Sequence, residues 1–219
     1  MNRSFARFGG LSAIIVGALS ILYAVFFLVI TRQNEEVGTL GSWVILAVSG
    51  LFSSATFIAL YQRLRPTSEG FALWALVLGL LSSFATLTHG AYQALMLLTL
   101  PGAEPEQRAA IELVRMVPSQ FDPAGLGTFG IIGLASLVTG LLIVVGGRLP
   151  RLLGYLAVAN GILLIALFFA SAAGAQTLIL LTGGLTSVIV GPIWWIWLGR
   201  ELWRERAADR ASAPTPSLV

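Results

Sequence analysis

Six long runs of apolar residues, separated by short polar segments, form the main pattern along this chain. Each run has about twenty residues or more, the length that an α-helix needs to cross the ~30 Å hydrocarbon core of a bilayer. None of the six runs contains Asp, Glu, Lys or Arg. The pattern therefore predicts six transmembrane helices, at about residues 8–30, 41–61, 71–92, 126–145, 152–173 and 177–198.

The composition supports a membrane protein and excludes several other classes. The chain has 219 residues, of which 57% are hydrophobic and 11% are charged, whereas soluble domains are about 45–50% apolar and about 25% charged. Because six spans use most of the chain, the composition excludes a soluble enzyme, a nucleic-acid-binding domain and a large domain outside the membrane. We therefore expect one all-α polytopic bundle over residues 1–210 and a disordered cytoplasmic tail at 211–219.

The distribution of arginine predicts the orientation of this bundle. All 13 basic residues are arginines, and all but Arg32, Arg108 and Arg115 belong to segments on the side of the N-terminus. Positively charged residues close to transmembrane helices favour the cytoplasmic side, so we expect both termini to be cytoplasmic. The lack of lysine, together with frequent Ala, Gly and Leu, is typical of a GC-rich bacterial gene, and we expect a bacterial inner membrane.

Residues suited to a membrane interface lie at the cytoplasmic ends of the predicted helices. Clustered arginines hold anionic lipid headgroups at ~1 kcal/mol per charge near the surface, and the candidates here are Arg63, Arg65, Arg148 and Arg151. Tryptophan rings prefer the headgroup level, and we expect an aromatic belt from Trp194, Trp195, Trp197 and Trp203. The expected partners are therefore the lipid bilayer and anionic lipids at its cytoplasmic face.

The longest connection, residues 101–123, joins the third and fourth predicted helices on the outer side. Pro105 suits the first position of a helix. The helical spacing that follows puts an apolar face, Ala110, Ile111, Val114 and Val117, opposite charged residues. We expect a short amphipathic helix that lies on the outer surface or caps the bundle. The alternative is that residues 103–122 form a lid over an external cavity.

Few polar side chains lie within the predicted helices, and three of them are candidates for binding. His89 is the sole His, Asp, Glu, Lys or Arg residue in any predicted helix, and it shares one face of the third helix with Gln93. Asn160 lies near the middle of the fifth helix, ~12 Å deep at 1.5 Å per residue. Each has a structural interpretation as well, because a neutral imidazole or a buried amide ties helices together through hydrogen bonds.

Catalytic chemistry has little support in the sequence. There is one histidine, there is no cysteine, and no carboxylate is expected at depth to orient the His89 ring. We therefore expect no catalytic residue, no metal site and no cofactor. In the sixth helix, Gly191 and Pro192 predict a kink, because proline lacks the N–H that would bond to the carbonyl group of Val188.

Two stretches in the second half of the chain carry a family resemblance. They read GRLPRLLGYL at 147–156 and PIWWIWLGR at 192–200. Both resemble a broad set of uncharacterised bacterial six-helix membrane proteins that are classed only as a domain of unknown function. The resemblance implies the six-helix fold and assigns no catalytic or binding residue.

Three hypotheses about function follow from these features. The first is a non-enzymatic accessory or scaffold protein with a protein partner or a second copy of itself. The alternative is a small transporter or channel whose path runs between the third, fifth and sixth helices and touches His89, Gln93 and Asn160. The third is an intramembrane or lipid-modifying enzyme. A polar cavity that reaches Asn160 would favour transport, whereas a closely packed centre would exclude it.

Overall fold

The structure, a computed structural model, describes residues 3–99, 102, 104–116 and 122–211. Within these ranges every regular element is a helix, and six helices are long and apolar enough to cross a membrane. They are called here the first to the sixth span, and they are Ser4–Gln33, Glu35–Leu64, Glu69–Thr99, Pro123–Gly146, Arg151–Ala172 and Gln176–Arg204. The predicted all-α bundle with six spans is confirmed.

Three of the spans combine α-helix with other helical geometry. The first consists of Arg3–Val25, the π-helical segment Phe26–Ile30 and Thr31–Gln33. The fourth begins with the 3₁₀ turn Pro123–Gly125 and the π-helical segment Leu126–Ile131, followed by Ile132–Gly146. The sixth consists of Gln176–Gly184, the π-helical segment Leu185–Val190 and Gly191–Ala211. The second, third and fifth spans are single α-helices.

The six spans form a closed ring around a common centre. Each span packs against its neighbours in the chain, and the first span packs against the sixth to close the ring. Short connections explain this order except between the third and fourth spans, because helices joined by a few residues must lie side by side and antiparallel. A ring of six helices leaves room for a space on its axis.

Glycines bring some of these helices into direct contact. A Cβ atom on Gly140 of the fourth span would lie 2.7 Å from the carbonyl oxygen of Gly154 in the fifth. A Cβ atom on Gly10 of the first span would lie 3.0 Å from the carbonyl oxygen of Gly199 in the sixth. Small residues at such positions let two backbones approach closely in a membrane, where packing is a main source of helix association.

The two ends of the ring differ in charge. The arginine-rich end holds the start of the first span, the end of the sixth, Arg63 in the last turn of the second span and Arg148 in the connection between the fourth and fifth spans. Arg63 Nη2 donates a hydrogen bond of 2.8 Å to the carbonyl oxygen of Arg148, which links the second span to this connection. The acidic end holds Glu35, Glu104 and Asp122. That the arginine-rich end faces the cytoplasm stays a prediction from the charges.

The expected aromatic belt is wrong for two of its four tryptophans. Trp194 is 0% exposed and Trp195 is 5% exposed, because the sixth span turns this face toward the first and second spans to close the ring. Their rings meet edge to face with centroids 4.6 Å apart, and Trp195 packs in the same way against Phe57. Trp203 is 48% exposed, as an interfacial residue would be.

The two peripheral segments are only partly described. The expected short helix between the third and fourth spans is present as Pro105–Met116, and Ile111 on its apolar face is half-buried. The side chain of Val114 and all of Val117 lie outside the described residues. The last helix continues to Ala211, beyond which the predicted disordered tail also lies outside them.

Candidate functional site

A cavity of about 120 Å³ lies on the axis of the ring and is called here the central cavity. Residues from all six spans form its wall. Its polar lining residues are Ser20, Tyr23, Ser49, Ser53, Thr86, Thr128, Asn160, Thr186 and Ser187. The remaining lining residues are Val16, Leu46, Phe129, Ile132, Leu164, Leu167, Gly191 and Trp195. A volume of this size holds several water molecules or a small polar group.

Asn160 is a buried polar residue in this wall whose hydrogen-bonding capacity is not fully used. Its residue is 2% exposed, and its Oδ1 atom has no hydrogen-bond partner among the described residues. Thr128 is 5% exposed, and its hydroxyl oxygen also makes no hydrogen bond of its own by distance and angle within the described residues. By contrast, the Ser53 hydroxyl lies 2.8 Å from that of Ser83. Residues from the fourth and fifth spans that carry a buried oxygen without a hydrogen-bond partner among the described residues thus line the cavity.

The described residues that line the cavity are all uncharged. Transfer of an ion into such an environment carries a large desolvation penalty unless a charge or many dipoles compensate for it. Nor does any group of three His, Cys, Asp or Glu residues in the described ranges lie close enough together to hold a metal ion. The chemistry of this wall suits an uncharged molecule with a hydrogen-bonding group.

Two of the π-helical segments contribute to the cavity wall. Thr128 and Phe129 belong to Leu126–Ile131, and Thr186 belongs to Leu185–Val190. π-Helical turns are rare and occur frequently at functional sites. The second of them ends at the predicted kink: the N–H of Gly191 bonds to the carbonyl oxygen of Thr186, five residues earlier, directly before Pro192. The helix is thus irregular where it borders the cavity.

His89 has a partner that the sequence did not lead us to expect. Its Nδ1 atom lies 3.0 Å from Oδ2 of Asp122, and the two side chains are 12% and 1% exposed. Trp43 stacks on the His89 ring with centroids 5.1 Å apart and an angle of 21°. The expectation that no carboxylate would orient this ring is therefore wrong. Asp122 belongs to the long connection at 101–123, but its side chain bonds to His89 of the third span and to the start of the fourth.

Asp122 also caps the start of the fourth span. Its Oδ1 accepts a hydrogen bond of 2.6 Å from the N–H of Gly127, and its Oδ2 accepts one of 3.1 Å from the N–H of Thr128. Burial raises the pKa of the Asp122 carboxyl group, but the hydrogen bonds from His89 and from these two N–H groups lower it more, so that the pKa lies below its ordinary value. The chain reaches this geometry through Ala124, which has φ of 55° in the left-handed region that residues other than glycine rarely adopt.

The three predicted binding residues do not form one site. Asn160 lines the central cavity, whereas His89 and Gln93 are not among its described lining residues. Gln93 is half-buried on the third span, one turn beyond His89 toward the acidic end. The third span contributes Thr86 to the cavity wall instead.

The predicted lipid-binding arginines lie together at the arginine-rich end. Arg65, Arg148 and Arg151 are exposed, and Arg63 is half-buried. Binding of anionic lipids to them stays a prediction.

Comparison with known proteins yields a family and no characterised relative. The family described as "Domain of unknown function (DUF4386)" matches residues 33–199, which is well over half of the chain. No curated protein and no solved structure matches this chain. The matched range runs from the end of the first span to the sixth span, so it includes Asn160 and Asp122. The chain therefore belongs to this family of unknown function.

Proposed function

We propose that this protein is a small transporter that binds an uncharged molecule in the central cavity. This is the second of the hypotheses that the sequence raised. The observation that carries it is the buried residue Asn160, which lines the central cavity and whose Oδ1 atom has no hydrogen-bond partner among the described residues. A buried polar atom without a partner costs about 1–3 kcal/mol. A bound molecule that donates a hydrogen bond to Asn160 would recover this free energy.

The same observation argues against a purely structural role for Asn160. A buried asparagine that ties two helices together does so by hydrogen bonds across the interface, and Oδ1 makes none among the described residues. The irregular sixth span supports transport as well, because interrupted helices often border the substrate sites of transporters. An accessory or scaffold role, with a protein partner or a second copy, has no comparable support from the interior.

An enzymatic role is not part of this proposal. The pairing of His89 with Asp122 resembles two members of a catalytic triad, in which a carboxylate orients a histidine. Within the described part of the chain, however, no serine or threonine hydroxyl hydrogen bonds to His89. We therefore interpret the pair as a link between the third and fourth spans.

Substitution of Asn160 by leucine separates binding from stability. In bilayer nanodiscs, we expect glycerol or 1-monooleoylglycerol at about ten times its Kd to raise the Tm of the wild type by about 3–5 °C. The charged analogues glycerol 3-phosphate and oleate should not do so. Asn160→Leu should remove the shift and leave the Tm of the protein alone unchanged or higher, because it replaces an unpaired amide by an apolar side chain of similar size.

The matched control is Ser49→Ala, which removes a cavity hydroxyl that already bonds to the carbonyl oxygen of Ile45 at 2.8 Å. It should keep the shift. A lower Tm for Asn160→Leu with the shift intact would mean that Asn160 acts in packing, and the proposal would then fail. Stabilisation by the charged compounds alone would also contradict it.

The proposed location is a bacterial inner membrane, with the arginine-rich end in the cytoplasm. The chain has no cysteine, so single cysteines report on orientation without background. We expect Gln107→Cys, on the exposed helix Pro105–Met116, to react with a membrane-impermeant maleimide in intact spheroplasts. Ser68→Cys, between the second and third spans, should react only after lysis. The opposite pattern would overturn the orientation.

A further inference from the structure

A second cavity, called here the lateral cavity, lies between the first and sixth spans in the half of the bundle toward the acidic end. Its volume is about 190 Å³. Its wall is mostly aliphatic and aromatic, with few polar atoms. The lining residues are Tyr23, Ala24, Phe27, Leu28, Trp43, Phe129, Leu167, Ser171, Ile179, Leu180, Gly183, Gly184 and Ser187.

The lateral cavity adjoins the central cavity. Tyr23, Phe129, Leu167 and Ser187 belong to the walls of both. A molecule that lies across this shared wall would have one part near the Asn160 oxygen and the other among hydrocarbon side chains. The two cavities thus offer a polar site and an apolar site next to each other.

The lateral cavity also reaches the surface that faces lipid. Phe27 on the first span and Leu180 on the sixth are each 41% exposed, and both line it. The two spans are in contact in the other half of the bundle, where a Cβ atom on Gly17 would lie 2.6 Å from Ile196. The first and sixth spans separate toward the acidic end, so the gap between them opens on the outer surface of the bundle.

Two glycines keep this gap free of side chains. A Cβ atom on Gly184 would meet nothing within 4 Å, and one on Gly183 would meet Leu167 at an ordinary 3.8 Å. These glycines therefore differ from Gly17 and Gly140, whose missing side chains allow another helix to approach. A glycine within a helix lowers the stability of the helix by about 1 kcal/mol relative to alanine. At Gly183 and Gly184 the space left by the missing side chain forms part of the lateral cavity.

We infer that the molecule bound in the central cavity is an uncharged amphiphile whose apolar chain occupies the lateral cavity and which enters from the bilayer between the first and sixth spans. This inference rests on the proposed function and specifies its substrate class. The polar group donates a hydrogen bond to Asn160, and the apolar chain replaces bilayer contacts by contacts with the walls beside Gly183 and Gly184. A solute without an apolar part gains nothing from this second site.

A photoreactive monoacylglycerol tests the inference. The probe is 1-monooleoylglycerol with a diazirine in its chain, added to the full-length protein in nanodiscs, and its crosslinks are mapped by mass spectrometry. We expect labelling at residues 23–28 and 179–187. Unlabelled 1-monooleoylglycerol should compete, and glycerol at the same concentration should compete much less because it lacks the apolar chain. Dioleoylphosphatidylglycerol should not compete.

Variants at the sixth span supply the control. Gly184→Phe should reduce this labelling about tenfold, because its ring fills the lateral cavity without displacing backbone. Leu181→Phe, at a position on the same helix that is 56% exposed to the surroundings, should leave labelling unchanged. If Gly184→Phe does not fold, Ala24→Phe narrows the same cavity from the first span.

The results distinguish this inference from the proposed function. If glycerol stabilises the wild type but not Asn160→Leu, and the Gly184→Phe or Ala24→Phe variant has no effect on labelling, the transporter proposal stands and the amphiphile inference fails. Labelling spread over the whole apolar surface would likewise overturn the inference. If neither glycerol nor 1-monooleoylglycerol gives a Tm shift that Asn160→Leu removes, both the transporter proposal and the amphiphile inference fail.

Discussion

Replacement of Asp122 by alanine should lower the free energy of unfolding by about 3–5 kcal/mol, the cost of removing a buried carboxylate from its hydrogen-bonded partners. The carboxylate is 1% exposed on its side chain and bonds to His89 at 3.0 Å. It also accepts hydrogen bonds from the N–H groups of Gly127 and Thr128. Alanine leaves an imidazole and two N–H groups without their acceptor. Titration of the purified protein with SDS, followed by tryptophan fluorescence, measures the loss.

A double-mutant cycle identifies how much of this effect belongs to the pair. His89→Phe keeps a flat ring against Trp43 and removes the bond to Asp122, so it should cost less than Asp122→Ala. We expect a coupling free energy of about 1–3 kcal/mol between the two positions. Glu106→Ala, which removes an exposed carboxylate near the same end, is the control and should change stability by less than about 0.5 kcal/mol. Additive effects at His89 and Asp122 would mean that the contact contributes nothing.

The lowered pKa of Asp122 gives this contribution a pH dependence. A carboxyl group whose pKa is lower in the folded than in the unfolded state stabilises the protein fully above the unfolded value of about 4. The contribution is lost as the pH falls through the lower folded value. The wild type should therefore lose more stability than Asp122→Asn between about pH 5 and pH 2. Equal slopes for the two proteins would contradict this assignment.

Substitution of Gly140 by leucine should lower the free energy of unfolding by about 3 kcal/mol, at the upper end of overpacking effects. The added Cβ atom would lie 2.7 Å from the carbonyl oxygen of Gly154 and 2.9 Å from the backbone nitrogen of Val158. Backbone atoms of a packed helix do not rotate away as a flexible side chain does, so the fourth and fifth spans must separate. The same SDS titration measures the change.

Gly70→Leu is the matched control for this substitution, because a Cβ atom on Gly70 would meet nothing within 4 Å. We expect it to change stability by less than about 0.5 kcal/mol. If Gly140→Leu were as mild as Gly70→Leu, the close contact between the fourth and fifth spans would not exist.

The number and class of the spans were predictable because the physical cause acts on each segment separately. A helix must cross ~30 Å of hydrocarbon, and its apolar length is visible in the sequence without knowledge of its neighbours. The ends were less predictable. The second span begins at Glu35, six residues before its apolar run, because a helix continues into the headgroup region while its backbone hydrogen bonds remain satisfied.

Contacts between residues that are distant in the sequence were not predictable in the same way. Asp122 falls in the long connection at 101–123, and no local pattern in the sequence connects it with His89, 33 residues away. The proximity of Asp122 to Gly127 and Thr128 was a possible signal, since aspartate often caps the start of a helix. The burial of Trp194 likewise depends on the ring closing against the first span.

The candidate site likewise has one part that the sequence could predict and one part that it could not. Asn160 was identifiable because an amide at mid-span is rare enough to be noticed in the sequence. The cavity beside it was not, because its wall combines single residues from six helices and depends on the gap between two of them. Gly183 and Gly184 look like packing glycines in the sequence, and they are distinguished from Gly140 only by what surrounds them.

The closed ring has a consequence for the order in which the protein is made. Spans that are consecutive in the chain are also neighbours in space, so each helical hairpin can assemble as it leaves the ribosome, with little loop entropy to overcome. The contact between the first and sixth spans is different, because it joins Gly10 to Gly199 across nearly the whole chain. Both cavities have walls on these two spans, and so they are completed only after the sixth span has been made.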